Sequence, residues 1–150
     1  MSELELSADQ SYAEAGRQVV AARSRDLFSH IDGVLDTDHP ERVHKMRVAT
    51  RRLRAGIEVF GASFPRKRTR SALAEIKALA GELGERRDCD VQIELLGKLR
   101  RDAGRAERGA IDDLLEELQR ERRVANRGLA KALAHADDAK LAKQLRRLSR

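Results

Sequence analysis

VHKMRVATRRLRAGIEVF, residues 43–60, is the stretch whose pattern decides the fold. Turned at about 100° per residue, it separates into two adjacent arcs. Val43, Met46, Ala49, Thr50, Leu53, Ile57 and Phe60 fall on one arc, which predicts an amphipathic helix with that side against a core. His44, Arg47, Arg51 and Arg54 fall on the neighbouring arc, at spacings i, i+3, i+7 and i+10. Lys45 and Arg52 project elsewhere, as ordinary surface charges. Like charges so spaced repel by about a few tenths of a kcal/mol per adjacent pair, and a bound polyanion would relieve that repulsion.

Outward from this segment the chain continues in helices. Pro40 suits a first helical turn, with Asp38 or His39 as the cap and Glu41 near the positive end of the dipole; Gly61 and Pro65 stop the helix. Upstream, Asp32 to Pro40 reads as a loop, preceded by a helix from Ser11 to about Ile31 and by a loose acidic tail at residues 1–10. Downstream, a third helix starts near Lys67 on Leu73, Ile76, Leu79, Ala80 and Leu83. Gly81 and Gly84 predict a bend there, or a close approach of another backbone. Helix resumes near Asp88, with Val91, Ile93, Leu95, Leu96 and Leu99 on its inner side, until Gly104. A fourth long helix is predicted from about Glu107 to Leu133, and a last one from Ala139 to Leu148. The sum is an all-α fold, an antiparallel helical bundle of about five to six helices.

Composition agrees with that class. Of the 150 residues, 41% are hydrophobic and 37% charged, but only 3% are aromatic, and there is no Trp. A strand-rich sandwich or barrel is a poor fit to such a chain. The formal charge of +6 is unevenly spread. Residues 1–40 carry eight Asp/Glu against three Arg, whereas residues 41–70 carry ten Lys/Arg, most of them arginine, against two Glu. One short segment therefore holds the positive field, which points to a polyanionic partner. Arginine suits phosphate oxygens because its planar fork binds them in a bidentate manner. The single cysteine, Cys89, forms neither an internal disulfide nor a thiol cluster for a metal, and no cofactor is expected. The acidic start MSELELSADQ lacks the features of a signal peptide and no apolar run has spanning length, so a cytoplasmic location is expected.

The third helix repeats the layout of the second. Arg66, Arg70 and Lys77 fall beside its apolar arc, with Gly81 and Gly84 along the cationic side. Arg120, Arg123 and Arg127 form another row on the fourth helix. A basic stripe on one helix is most often a solvated face. Three helices with matching stripes argue instead for a shared basic groove.

Residues 43–60, taken with IKALAGELGERRDCDVQIELL at 76–96, resemble the CHAD (conserved histidine α-helical domain) family. The resemblance rests on a histidine three residues before an arginine, a TRRLR cluster, and a later LG-x-x-RD-x-DV segment, and it extends over about residues 12–150. It implies an all-helical domain that binds inorganic polyphosphate in a basic channel, in some members on polyphosphate granules and in others fused to triphosphate-tunnel enzymes. Carried over by position, the family histidine is His44 and the motif cations are Arg47, Arg51, Arg52 and Arg54. Lys77 takes the basic position before the LG step, and Arg87, Asp88 and Asp90 are the RD-x-D residues, with Asp88 expected to cap the next helix or orient Arg87. With Arg66, Arg70, Arg123 and Arg127 from the neighbouring stripes, His44, Arg47, Arg51, Arg52, Arg54, Lys77 and Arg87 make up the expected polyphosphate contacts. Family members usually hold two such bundles, and only one histidine block occurs here. Residues 11–150 thus correspond to one half, and the chain is expected either to pair as a homodimer or to be part of something longer.

Three other functions compete with this one. Clustered arginines also bind nucleic acid, but few aromatics are available for base stacking and Asn126 is the only asparagine for base-edge readout. A phosphate-transfer enzyme would use His44 as nucleophile or acid and Asp88 with Asp90 as metal ligands, yet no third ligand is identifiable, so no catalysis is expected. A helical module docking an acidic protein is the last, with the acidic residues 1–40 able to cover the groove in the free chain.

Overall fold

The computed structural model describes residues 4–137 and 140–150. Among the described residues five α-helices follow one another: α1 (Tyr12–Phe28), α2 (Glu41–Val59), α3 (Arg66–Asp102), α4 (Arg105–Asp137) and α5 (Lys140–Leu148). A short 3-10 turn, Gly61–Ser63, reverses the chain between α2 and α3. The predicted start of the last helix at Ala139 lies outside the described residues, as do the first three residues of the tail.

Local chemistry fixes the ends of α1. Ser11 and Glu14 form a capping box in which each satisfies the other's backbone N–H. The helix stops at Phe28, short of the expected Ile31, and the Ser29 hydroxyl donates to the Asp26 carbonyl at 2.7 Å. At the start of α2 neither Asp38 nor His39 caps; Pro40 itself takes the cap position without a side-chain bond. The loop between them turns at Gly33, whose φ of +74° is open to glycine and where a Cβ would collide with the Arg42 guanidinium.

The core forms where five helices meet. Val20 and Leu27 from α1, Val43, Met46, Leu53 and Ile57 from α2, Ile76 and Leu83 from α3, Leu129 from α4, and Leu141 and Leu145 from α5 are all but fully buried. Every predicted apolar position of α2 from Val43 to Ile57 is in it. Helices α1 and α2 come together closely, because a Cβ on Gly16 would lie 2.9 Å from the Cβ of Phe60 and one on Gly56 would lie 2.9 Å from Val19.

Two predictions about α3 are corrected. It does not break or restart at Asp88 but runs unbroken for 37 residues, or about 55 Å. Gly81 and Gly84 sit inside it, and among the described residues nothing lies within 4 Å of where a Cβ would be, so no described backbone approaches them. A helical glycine costs roughly 1 kcal/mol, too little to stop a helix whose next turns pack through Leu79 and Leu83. The second correction concerns its far half. Val91, Leu95 and Leu99 were expected inside but are 44%, 63% and 55% exposed, while Ile93 and Leu96 are half-buried. The main core ends at Leu83 on α3 and begins again at Leu129 on α4. Beyond Asp90, among the described helices, α3 packs on α4, and a two-helix hairpin buries a single seam. Its turn is held by the Arg100–Asp112 pair and by Glu107, which accepts from the Gly104 N–H at 3.1 Å.

Candidate functional site

The apolar arc of α2 points into the core, and its neighbour is thereby turned to the crevice between α2 and α3. His44, Arg47, Arg51 and Arg54 line one concavity of about 380 Å³, with Val48, Thr50 and Ala80 of α3. The four side chains are exposed, whereas Thr50 is buried and spends its hydroxyl on the Met46 carbonyl at 2.8 Å. Arg54 is partly neutralised, since its Nε donates to Glu58 at 2.8 Å across one helical turn. Among the described residues no carboxylate lies within ion-pair distance of Arg47 or Arg51. Two guanidinium groups, three and seven residues after a histidine, thus face the same hollow with their donors free.

The remaining expected contacts divide between two places. The chain reverses at Gly61–Ser63, so the Arg54 end of α2 lies beside the first turns of α3, where Arg66 and Arg70 are exposed. Lys77 is exposed one turn before Ala80 and extends the same side. Arg52 is exposed but does not line the hollow, because one further residue rotates it about 100° from Arg51. Arg123 and Arg127 are exposed on α4, which packs on α3 and α5; among the described helices none of the contacts joins α4 to α2. Among the described residues the hollow is lined by α2 and by Ala80 of α3, and neither Arg123 nor Arg127 is in that lining.

The acidic segment does not cover this hollow. Among the described residues its lining includes nothing from residues 4–40. The tail is instead fastened to α1, where the Gln18 amide donates to the Glu5 carbonyl at 3.2 Å and accepts from Gln10 at 2.8 Å.

In the RD-x-D segment the buried arginine is Arg86, not Arg87. Arg86 has no solvent exposure and donates to Asp90 at 2.7 Å, while Arg122 from α4 approaches the other Asp90 oxygen at 3.5 Å. Burial pushes the Asp90 carboxyl above its ordinary range and the Arg86 guanidinium below its own, against their mutual attraction. Arg122 also donates to the Thr37 carbonyl at 3.5 Å, and Asn126 donates to the Leu35 carbonyl at 2.9 Å. This cluster ties the base of the α3–α4 hairpin to the loop that leads into α2. Asp88 is exposed in mid-helix and caps nothing. The two aspartates point to different sides, and among the described residues no group of three His, Cys, Asp or Glu could hold a metal ion. Nor, among those residues, is any helix long and apolar enough to cross a membrane.

Sequence reasoning missed Arg86 and Arg122, although a signal existed. Leu79, Leu83, Arg86 and Asp90 follow one another at i, i+4, i+7 and i+11, so the last two continue the buried arc as an i, i+4 pair of opposite charge. The CHAD domain model of known protein families matches residues 18–150, nearly the whole chain. The chain belongs to the CHAD family. The histidine block falls on α2 and the LG-x-x-RD-x-DV block on the middle of α3. No curated protein and no solved structure matches the chain.

Proposed function

We propose that this CHAD domain binds inorganic polyphosphate along the α2–α3 groove and has no catalytic activity of its own. One observation carries the proposal: His44, Arg47, Arg51 and Arg54 converge on one hollow, and among the described residues two of the arginines have no carboxylate within ion-pair distance. Family membership supports it, since CHAD domains are associated with polyphosphate. A phosphate chain would lie between the arginines of α2 and the exposed Lys77, Arg70 and Arg66 of α3, each phosphoryl group accepting from one or two guanidinium forks. Arg87 stands further along the same helix, whereas Arg52, Arg123 and Arg127 would add only long-range field. The absence of catalysis rests on Asp90, both of whose oxygens are engaged by arginines, Arg86 and Arg122, which leaves neither open to a metal ion. A cytoplasmic setting, and pairing of two copies to restore the usual two-bundle domain, belong to the same proposal.

A nucleic-acid ligand is the second reading, favoured by the same free arginines. Titration of the protein with long-chain polyphosphate and with duplex DNA of matched charge, at physiological salt and with magnesium present, separates the two. Polyphosphate is expected to bind tightly, to displace the DNA, and to release no phosphate. Equal affinity for both polymers would remove the specific groove in favour of a general basic surface, and phosphate release would restore the enzyme reading.

A further inference from the structure

The α3–α4 hairpin carries an apolar face that nothing among the described residues covers. Leu95 and Leu99 on α3 are 63% and 55% exposed, and Leu114 on α4 is 50% exposed. Leu95 and Leu114, with Leu96 and Leu118, flank a shallow groove of about 480 Å³ bordered by Gln92, Glu117 and Glu121. Exposed leucines in such a cluster mark a protein contact far more often than a solvated face. The hairpin stands clear of the five-helix core, so a partner can reach this face without meeting α1, α2 or α5.

Charge decides the partner. Residues 98–108, at the tip, hold five Lys/Arg against two Asp/Glu, whereas residues 112–121, on the shaft, hold five Asp/Glu against one Arg. A hairpin with a basic tip and an acidic shaft is complementary to itself when two copies lie head to tail, and self-repelling when they lie side by side in the same direction. At 1.5 Å per residue, Leu95 and Leu114 sit about 12–15 Å from the Ala103–Gly104 turn, Lys98 about 7 Å and Glu117 about 20 Å. A two-fold axis at the level of the leucines thus brings Lys98 level with the partner's Glu117. Lys98 now pairs with Glu94 at 2.7 Å, but both are more than half exposed, and such pairs are exchanged at little cost.

We propose that two copies of this chain associate through these hairpins, antiparallel about a two-fold axis near Leu95 and Leu114, to form a four-helix bundle. The inference rests on the homodimer part of the reading above and is independent of the ligand. Two hairpins so joined bury each other's leucines in an isologous interface, with the two α2–α3 grooves carried on bundles at opposite ends.

Sedimentation equilibrium of the full chain, without polyphosphate, tests it. A dimer is expected at micromolar concentration, and Leu95→Glu/Leu114→Glu should give a monomer of unchanged helicity, since both side chains are already half exposed or more. Orientation is read from single cysteines under mild oxidation: Leu95→Cys should give disulfide-linked dimers, whereas Ala106→Cys at the tip and the wild type, with Cys89 buried, should not. A monomeric wild type overturns the proposal, as does a dimer indifferent to the two glutamates. Cross-linking through Ala106→Cys and not through Leu95→Cys overturns the antiparallel arrangement. None of these failures bears on the polyphosphate titration, which stands or falls by itself.

Discussion

Arg86 and Asp90, one turn apart on α3, form a 2.7 Å ion pair in which neither side chain reaches solvent. Two further nitrogens of Arg86, Nε and Nη2, are buried without a hydrogen-bond partner among the described residues. Arg122 reaches only the far oxygen of Asp90, at 3.5 Å. Removing Arg86 therefore strands a buried carboxylate. Arg86→Met is expected to lower unfolding free energy by about 3–5 kcal/mol, read from urea titration of helicity. The double variant Arg86→Met/Asp90→Leu should recover the wild-type value or exceed it, because burial already outweighs the attraction within the pair. A double variant as weak as the single one would show that the pair is a net source of stability.

The same pair has a pH signature. Burial raises the folded-state pKa of Asp90 above its unfolded value, so the folded chain holds this proton more tightly. Stability from this group is thus fullest below the unfolded carboxylate range and is lost as pH rises through the folded value. Arg86 stays protonated throughout and adds no slope. The advantage of the Arg86→Met/Asp90→Leu variant over wild type should accordingly grow as pH rises from about 4. Parallel curves of stability against pH would contradict it.

Groove and outlying cations are separable by substitution. Arg47→Ala/Arg51→Ala removes two charge-assisted contacts, each worth about 1.5 kcal/mol or more, so the polyphosphate Kd should rise on the order of 100-fold. The slope of log affinity against log salt should flatten by about 2. Arg123→Ala/Arg127→Ala removes as much charge from α4, away from the hollow, and should shift the Kd only a few-fold. Equal losses from the two double variants would mean that net charge alone binds the polymer.

The α2 half of the site was legible because one helix determines it. The 100° step assigns Val43, Met46 and Leu53 to one side and His44, Arg47 and Arg51 to the next, and burying the first set leaves the second no other place. Which helix stands opposite is a tertiary matter. Arg123 and Arg127 repeat the pattern of Arg47 and Arg51 in sequence, yet α3 and α5, not α2, are the neighbours of α4. Leu95 and Leu99 misled for a related reason. Their spacing predicts a buried arc wherever a core exists to receive it, and the core stops one turn after Leu79. Gly81 and Gly84 carry the lowest helix preference short of proline, but the helix is set by the packing on either side of them.

Glycines in contact and glycines in open space should respond oppositely to alanine. At Gly16 a Cβ would stand 2.9 Å from Phe60 Cβ, in the tight crossing where Tyr12 stacks on Phe60 with ring centroids 4.8 Å apart. Gly16→Ala is expected to cost about 1–3 kcal/mol, less the gain in helix preference. At Gly81 the same methyl meets nothing. Gly81→Ala should stabilise by about 0.5–1 kcal/mol and raise the melting temperature by a few degrees. Destabilisation by Gly81→Ala would mean that a second copy or another segment comes close at this turn.

Cys89 reports on the hairpin base. Its thiol is 8% exposed on the turn that carries Arg86 and Asp90, and burial pushes its pKa above the ordinary thiol value. Thiolate is the reactive form, so both access and ionisation protect it. A disulfide reagent at pH 8 should therefore label the native chain far more slowly than the urea-unfolded one, at a rate set by opening of the α3–α4 seam. Arg86→Met, which loosens that seam, should accelerate labelling at least 10-fold even though losing the nearby guanidinium disfavours the thiolate, while Arg47→Ala/Arg51→Ala should leave it unchanged. Fast labelling of the wild type would mean that the base of the hairpin opens without unfolding, and that the Arg86–Asp90–Arg122 cluster does not lock it.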